Sequence, residues 1–455
     1  MNNKKDNIGE NSRELKRELG LVAASAVVVG NMIGSGIFMT PQSLAAASNP
    51  KSTLIAWGIT ALGSILLALS FANLGTALPV TGGPIVYTRE AFGDFAAFIV
   101  TWGYWIGIWV GDAAIITAST SYFSYFFPMI NQNRLLAFSI STSILWIFTL
   151  INLKGIKGAG LISLITTVFK IIPILIFVAI ASTHFDISNY NTFSSPSVNS
   201  NSTIPVAIGI TLWAFLGLES ATVVSGEIKN PKRNVKLSTI LGITVTAIIY
   251  IVVSVLAIGA IPQDKLAVTT SPMAEIINFI IGGTWGGTLI ALGAIVATIG
   301  TISGWIMLSG RCAFAAAESN LFPSFFKKVH PKYKTPYKAL LISSIGTNLV
   351  LLTNYVSSLT FAFNFIILLS TMVILPIYTF TAAADILLLS KKSNQFNFFN
   401  FIKNSFCAFV AFGYSIYAIY GTGANSVMYG FILLLLGIPF FLYLRLQNDN
   451  RKSIS

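Results

Sequence analysis

The chain has 455 residues, of which 54% are apolar and only 9% are charged, and its mean hydropathy is +0.76. This composition excludes a soluble globular protein and indicates a protein that crosses a membrane many times. The net charge of +13 does not indicate nucleic-acid binding, because the basic residues are distributed along the chain in a way that reflects membrane topology.

Apolar runs of about 20 residues, enough to cross a hydrocarbon core of roughly 30 Å, occur between charged or Pro/Asn-rich breaks. We predict twelve spans, at about 19–45, 52–79, 92–127, 134–151, 158–182, 203–226, 237–260, 275–317, 338–355, 359–389, 405–423 and 426–446. Residues 1–18 are polar and no small-residue cleavage site follows a short apolar core, so this segment is expected to be a cytoplasmic tail.

Nearly all Lys and Arg residues fall in the tails and the even-numbered loops. Only Lys51, Arg134 and Lys265 fall on the opposite side, and Lys170 falls within a span. By the positive-inside rule both termini, including the tail 447–455, are expected to be cytoplasmic. We therefore predict a multi-pass protein of the bacterial cytoplasmic (inner) membrane, with the lipid bilayer as its surroundings.

Cysteine and histidine are too scarce to build a metal centre. The two cysteines, Cys312 and Cys407, show no metal-binding spacing, and the two histidines, His184 and His330, lie in loops. No nucleophile-base pair is visible either. The sequence predicts no metal, no cofactor, no nucleic-acid partner and no enzymatic activity.

Spans 1 and 6 share an unusual feature, which is a group of small residues in mid-membrane. Span 1 carries GNMIGSGIF (30–38), and five spans later span 6 carries TLWAFLGLESATVVSGE (211–227). A unit of five helices crosses the membrane an odd number of times, so a second copy must be inverted. We predict an all-α fold with a five-plus-five inverted repeat over 19–390 (19–182 and 203–390), broken helices 1 and 6, and two appended spans in 391–446.

A helix broken within lipid is tolerated where it lines a cavity, and there its freed N–H and C=O groups can bind a carboxylate and an ammonium. Glycines allow a ligand to approach the backbone closely. The alternative is a close helix-packing face built from small residues.

Each charged residue within a span needs a physical reason, because burial in lipid is costly. Asp112 could pair with Lys170 or with a cationic substrate, or be part of a purely structural ion pair. Lys170 could replace a bound cation, link transport to protons or extend its ammonium toward the membrane surface. Glu219 could titrate, pair with a substrate ammonium or cap the broken helix. Asp385, near the inner end of span 10, is expected to reach solvent.

Four aromatic residues lie near these charges in mid-span: Tyr104, Trp105, Trp213 and Trp305. Aromatic rings bind cationic heads and apolar stems, at roughly 0.5–2 kcal/mol per cation-π contact. For any one of them taken alone, packing is the commoner explanation.

At this point the sequence resembles the amino acid-polyamine-organocation superfamily, and within it the bacterial basic amino acid/polyamine antiporters. The resemblance spans nearly the whole chain and is carried by GNMIGSGIF, YWIGIWVGD (104–112), WAFLGLESATVVSGEIKNPKRNV (213–235) and SGWIMLSGRCAFAAAESNLFP (303–323). It implies a LeuT-like fold and a homodimer through spans 11 and 12.

The resemblance also implies roles for individual residues. Residues matching the family's seat for the substrate's amino and carboxylate groups are Asn31, Ile33, Ser35 and Gly36. The other implied roles are stacking on the substrate by Trp213, lining of the side-chain pocket by Trp305, gating by Tyr104, proton sensing by Glu219, and hydroxyl contacts from Ser370 and Thr371.

Two residues depart from the arginine/agmatine type of this family. Asp112 stands where an asparagine is expected and favours a cationic substrate, whereas Lys170 stands where a small apolar residue is expected and loosens the assignment to strict arginine/agmatine exchange.

Three functions stay open from the sequence. The first is a sodium-independent amino acid antiporter that exchanges a cationic amino acid for a related amino acid or its decarboxylated amine. The second is a proton-coupled amino acid symporter of broader specificity that uses Lys170. The third is a transport-inactive membrane sensor or channel.

Overall fold

The computed structural model describes residues 19–78, 83–155, 169–190, 203–223, 225, 228–390 and 398–454. Most of these residues are helical. The α-helices are α1 Leu21–Met32, α2 Gly36–Ala47, α3 Pro50–Ala77, α4 Gly83–Phe126, α5 Met129–Gln132, α6 Arg134–Lys154, α7 Ile171–Ala181, α8 Ile204–Trp213, α9 Ser220–Val223, α10 Pro231–Ala260, α11 Gln263–Ala267, α12 Pro272–Ile281, α13 Trp285–Glu318, α14 Tyr337–Leu351, α15 Thr353–Val356, α16 Leu359–Ser390, α17 Phe398–Gly421, α18 Ala424–Leu435 and α19 Ile438–Ile454.

The helices have the lengths and composition of membrane spans. Among the described residues, eight helical segments are long and apolar enough to cross a bilayer, and α1 with α2 makes a ninth that is bent by 43°. The remaining spans of the predicted twelve correspond to α7, which follows the undescribed range 156–168, to α8 with α9, and to α17. The all-α, multi-span fold class is therefore confirmed.

One span boundary in the sequence prediction is wrong. The run 275–317 was expected to form a single span, but it is divided into α12 and α13 by the turn at 282–284. Gly282 has φ +72, a left-handed conformation that glycine adopts without a steric penalty, and it ends α12. Only α13 is long enough to cross the membrane, so α12 is a shorter helix packed beside it.

The first predicted break is present and interrupts span 1 at residues 33–35. Ile33 is extended (φ −77, ψ 94), so the α-helical hydrogen-bond pattern stops at Met32 and resumes at Gly36. Tyr250 of α10 donates a hydrogen bond of 3.2 Å to the carbonyl of Met32. A backbone carbonyl freed by the break is thus satisfied by a side chain from a neighbouring span.

The second predicted break interrupts span 6 between α8 and α9. From Trp213 onward the backbone turns through short i→i−3 hydrogen bonds, among them Leu216 N to Trp213 O (3.3 Å) and Ser220 N to Gly217 O (3.0 Å). Gly217 has φ +101, and a Cβ built there would lie 3.3 Å from the Cβ of Asn31. The two breaks therefore touch each other.

Helix α4 forms the centre of the molecule and its apolar residues are almost all buried. It bends at Gly93 (φ +84), and beyond this bend it packs against α13, α14 and α16. The last spans lie at the periphery and expose large apolar side chains such as Phe406, Phe431 and Leu442. The tail 1–18 lies outside the described residues.

Candidate functional site

The carboxylate of Glu219 is held by two tyrosine hydroxyls from different helices. Tyr104 of α4 donates to Oε1 at 3.0 Å, and Tyr378 of α16 donates to Oε2 at 2.8 Å. Glu219 is only 4% exposed and is the last residue of the turn between α8 and α9. The arrangement connects the second break to the two helices that form the core of the fold.

Asn31 and Ser220 join the two breaks directly. The amide of Asn31, at the end of α1, donates to the hydroxyl of Ser220 at 2.9 Å, and that hydroxyl donates to the carbonyl of Gly217 at 2.5 Å. A side chain of one broken helix thus holds the hydroxyl that satisfies the irregular backbone of the other.

Trp213 and Trp305 form an aromatic pair, with ring centroids 5.8 Å apart and planes inclined by 48°. Trp213 ends α8 and lies against Gly36, where a built Cβ would be 3.4 Å from its ring. The same built Cβ would lie 3.0 Å from the hydroxyl of Tyr250, so a side chain at position 36 would require that hydroxyl to shift. The same pair covers Gly111 of α4.

Lys170 lies directly before α7 and is 4% exposed. Its ammonium donates to the carbonyls of Gly30 (2.5 Å) and Ile33 (2.8 Å) at the end of α1. It therefore satisfies two carbonyls at the C-terminal end of this half-helix, a position at which a positive charge is favourable.

A cavity of about 220 Å³ lies between these groups. Four of the predicted site residues line it: Asn31, Tyr104, Glu219 and Trp305. The rest of its wall is formed by Ile108, Leu216, Gly217, Ser220, Gly304, Met307, Leu308, Arg311 and Ile374. The wall thus combines apolar side chains with a few convergent polar groups, as ligand sites do.

The remaining predicted site residues lie nearby but outside this wall. Ile33, Ser35 and Gly36 form the first break, and all three are buried. Ser370 is buried and donates to the carbonyl of Gly107 at 2.8 Å, and its hydroxyl would be 3.0 Å from a Cβ at Gly111.

The predicted pairing of Asp112 with Lys170 does not occur. Lys170 is engaged by backbone carbonyls, and Asp112, 1% exposed, has a buried Oδ1 without a hydrogen-bond partner in the described part of the chain.

The expectation that Asp385 reaches solvent is also wrong. It is 1% exposed rather than solvated, and its Oδ2 accepts a hydrogen bond of 3.3 Å from Asn73.

Trp105, which sequence position placed beside the polar groups, is a packing residue. Its indole N–H donates to Ser343 at 2.8 Å, and its ring lies 5.4 Å from that of Phe322 and 5.5 Å from that of Phe326.

Sequence reasoning missed Tyr378 and Tyr250. Both hydroxyls reach the broken segments, and both residues are fully buried. Each lies in the middle of a long apolar run, as Tyr104 does. A tyrosine in such a run is a signal in the sequence, because its buried hydroxyl needs a polar partner.

Comparison with known proteins assigns the chain to a family. The amino acid permease family matches residues 19–443, and the chain belongs to this family of membrane transporters, which are not enzymes. Among similar proteins, an arginine/agmatine antiporter from Chlamydia pneumoniae is 32% identical over 452 residues, which cover 96% of this chain and 92% of that protein. An arginine/ornithine antiporter from Pseudomonas aeruginosa is 28% identical over 434 residues, with 93% and 90% covered.

The fold is also found in a solved structure of low sequence identity. A manganese transporter from Eremococcus coleocola, solved with an aromatic bis-isothiourea compound, matches with a TM-score of 0.63 at 12% identity, over 96% of this chain and 98% of that one. The match indicates a shared transporter fold alone. Together with the apolar helices, these similarities support a multi-pass protein of the bacterial inner membrane.

Proposed function

We propose that the protein is a sodium-independent antiporter that exchanges a cationic amino acid for a related amino acid or its decarboxylated amine by alternating access. One observation carries the proposal: two broken helices meet at a cavity lined by Asn31, Glu219 and Trp305 in a chain similar to named arginine antiporters.

The substrate's constant end would bind at the breaks. The N-terminal end of α2, at Gly36, presents the positive end of a half-helix, which suits a carboxylate. The side-chain oxygen of Asn31 would accept from the ammonium. It lies beside the break at Ile33 and Ser35, whose carbonyls already accept from Lys170 and from the N–H groups of Phe38 and Met39. The variable, cationic end would lie against the pair formed by Trp213 and Trp305. Asp112 and Ser370 would lie on the far side of this aromatic pair from the substrate, and Thr371 follows Ser370 in the chain.

Substrate binding or protonation at Glu219 would change its contacts with the helices around it. Its two tyrosine partners belong to α4 and α16, so a change of its charge would loosen or tighten both at once. This supports a gating role for Tyr104 and a proton-sensing role for Glu219.

Sodium independence is supported by Lys170. An ammonium held by the carbonyls of Gly30 and Ile33 satisfies oxygens that would otherwise be available to a metal cation. The same residue favours a second candidate, a proton-coupled symporter, because a buried lysine can lose its proton.

Preloaded proteoliposomes test the first proposal. Uptake of labelled arginine, lysine or ornithine should be stimulated severalfold by internal amino acid or amine, and equally in sodium and choline media. Absence of stimulation would reject exchange. If instead accumulation depends on the proton gradient and disappears when the gradient is collapsed, the symporter is correct.

We also propose a homodimer formed through spans 11 and 12. The exposed apolar side chains on α17 and α18, such as Phe406, Ile416 and Phe431, suit an apolar partner. Native mass spectrometry from detergent or nanodiscs should give twice the monomer mass; a monomer in both media would contradict the proposal.

A further inference from the structure

Arg311 is a charged residue of the cavity wall for which sequence analysis gave no role. It lies in α13, and its side chain is exposed at the cavity. Gly304, Leu308 and Arg311 line the cavity at i, i+4 and i+7, one face of the helix. Arg311 is six positions after Trp305, about 9 Å along the helix axis.

The charges that face the cavity from its wall are those of Glu219 and Arg311. Both carboxylate oxygens of Glu219 already accept hydrogen bonds from tyrosines. Arg311, by contrast, makes no ion pair with any described residue, and a guanidinium keeps its charge at every physiological pH. The guanidinium of Arg311 is therefore the charge of the cavity wall that no described side chain pairs with, and it is free to meet a substrate carboxylate.

The charged sequence beyond α13 indicates which side this mouth faces. The loop after α13 contains Lys327, Lys328, Lys332 and Lys334, and loops with this excess of Lys are cytoplasmic by the positive-inside rule. Arg311 would then act on the substrate that enters or leaves on the cytoplasmic side.

We propose that Arg311 selects, at the cytoplasmic mouth, cationic amino acids that retain their carboxylate over the corresponding decarboxylated amines. An amino acid such as ornithine or arginine offers a carboxylate to the guanidinium and has a net charge of +1. An amine such as agmatine has no carboxylate and has a net charge of +2, so it is repelled more strongly. The proposal rests on the proposed exchange function and identifies the counter-substrate as a second cationic amino acid.

The size of the discrimination follows from the difference of one unit of charge between amino acid and amine, placed about 10 Å from the guanidinium of Arg311. With an effective dielectric constant between that of water and about 20, the discrimination is about 2- to 15-fold in affinity. Because the residue is exposed to solution, salt should reduce it.

The test uses right-side-out bacterial membrane vesicles, whose interior meets the cytoplasmic mouth. Vesicles are loaded with unlabelled ornithine or agmatine over a range of concentrations, and uptake of external labelled arginine gives a KM for each internal counter-substrate. We expect the wild type to have the lower KM for ornithine. Arg311→Gln should narrow the ratio of the two KM values by about 2- to 15-fold, Arg311→Glu should reverse the preference, and Arg311→Lys should keep it.

Arg233→Gln is the matched control, because Arg233 is an exposed arginine at the start of α10 outside the cavity wall. It should leave the ratio unchanged, and 0.5 M KCl should narrow the wild-type ratio. The proposal is overturned if Arg311→Gln and Arg311→Glu keep the wild-type ratio of the two internal KM values, or if the wild type prefers internal agmatine. It is also overturned if the substitutions change the preference only when ornithine and agmatine are added outside the vesicles. Failure of the wild type to respond to any internal amino acid or amine would instead reject exchange itself.

Discussion

The hydroxyl of Tyr378 donates a hydrogen bond of 2.8 Å to Glu219, the carboxylate at the second helix break. Tyr104 occupies the other carboxylate oxygen, so an acid of span 6 is bound at once to spans 3 and 10. Any change in the charge or position of Glu219 acts on two of the most buried helices of the molecule.

Removal of one hydroxyl tests this link. Tyr378→Phe leaves a buried carboxylate oxygen without its donor, at a cost of about 1.5–3 kcal/mol. We expect arginine exchange in proteoliposomes to fall by at least about tenfold, or the melting temperature to drop by several degrees. Tyr87→Phe is the matched control, because the hydroxyl of Tyr87 is buried without a hydrogen-bond partner among the described residues. Equal exchange rates and equal melting temperatures of the two variants would show that the hydrogen bond from Tyr378 to Glu219 contributes to neither transport nor stability.

The two hydrogen bonds of Lys170 predict a large effect of its removal. Lys170→Met keeps most of the side-chain volume but leaves the carbonyls of Gly30 and Ile33 without their donor. Each unsatisfied carbonyl costs about 1–3 kcal/mol, so stability and exchange should both fall. Thermal unfolding in sodium and in choline media measures the stability, and counterflow of labelled substrate measures the exchange.

Lys332→Met provides the comparison for Lys170, since Lys332 is exposed in a loop and should be dispensable. Wild-type exchange that needs sodium, or a Lys170→Met variant as stable as the wild type, would contradict the role given to the ammonium.

Gly217 is the residue on which the second break depends. Its φ of +101 is unfavourable for any residue with a Cβ, and that atom would approach Asn31 within 3.3 Å. Gly217→Ala should therefore destabilise the protein by about 1–3 kcal/mol and reduce exchange. Gly413→Ala has nothing within 4 Å of its added Cβ in α17, and alanine favours a helix, so it should be neutral or stabilising. Comparable melting temperatures for the two variants would mean that the strain at position 217 is relieved.

Much of the fold could be predicted from the sequence because lipid imposes one rule on every span. Apolar length located the spans, and small residues beside a polar group located both breaks, since such residues are expensive in lipid unless they line a cavity. The division of 275–317 was missed because α12 is as apolar as a span. The Gly282–Gly283 pair at the turn was the available signal, but glycines also occur within the helices of this chain, so the pair did not stand out as a helix end.

The site was less accessible to sequence reasoning because hydrogen-bond partners come from distant spans. The pairing of Glu219 with Tyr378 joins residues 159 positions apart, and Lys170 reaches carbonyls 137 and 140 positions away. Charge alone suggested that Lys170 pairs with Asp112. In the structure, backbone carbonyls freed by the break are the partners instead, and backbone groups are invisible in a list of side chains.

The aromatic pair predicts a change in selectivity. Trp305 lines the cavity and contacts Trp213, with ring centroids 5.8 Å apart. Loss of one cation-π contact of roughly 0.5–2 kcal/mol corresponds to an increase of about 2- to 30-fold in the KM for arginine in Trp305→Ala. The KM for a neutral amino acid should change less. Trp285→Ala, at an exposed indole, is the control and should leave both values unchanged.

Asp112 gives the last prediction, because one of its buried carboxyl oxygens has no hydrogen-bond partner among the described residues. It is buried next to Gly111, which contacts both tryptophans, and its Oδ1 accepts no hydrogen bond from any described residue. If the carboxylate attracts the cationic end of the substrate through this aromatic wall, Asp112→Asn should lower the preference for arginine over citrulline, its uncharged isostere. The change is expected to be about 5-fold or more, since a desolvated charge pair is weakly screened. Wild-type selectivity in competition assays would remove Asp112 from the substrate site and leave it a structural residue of α4.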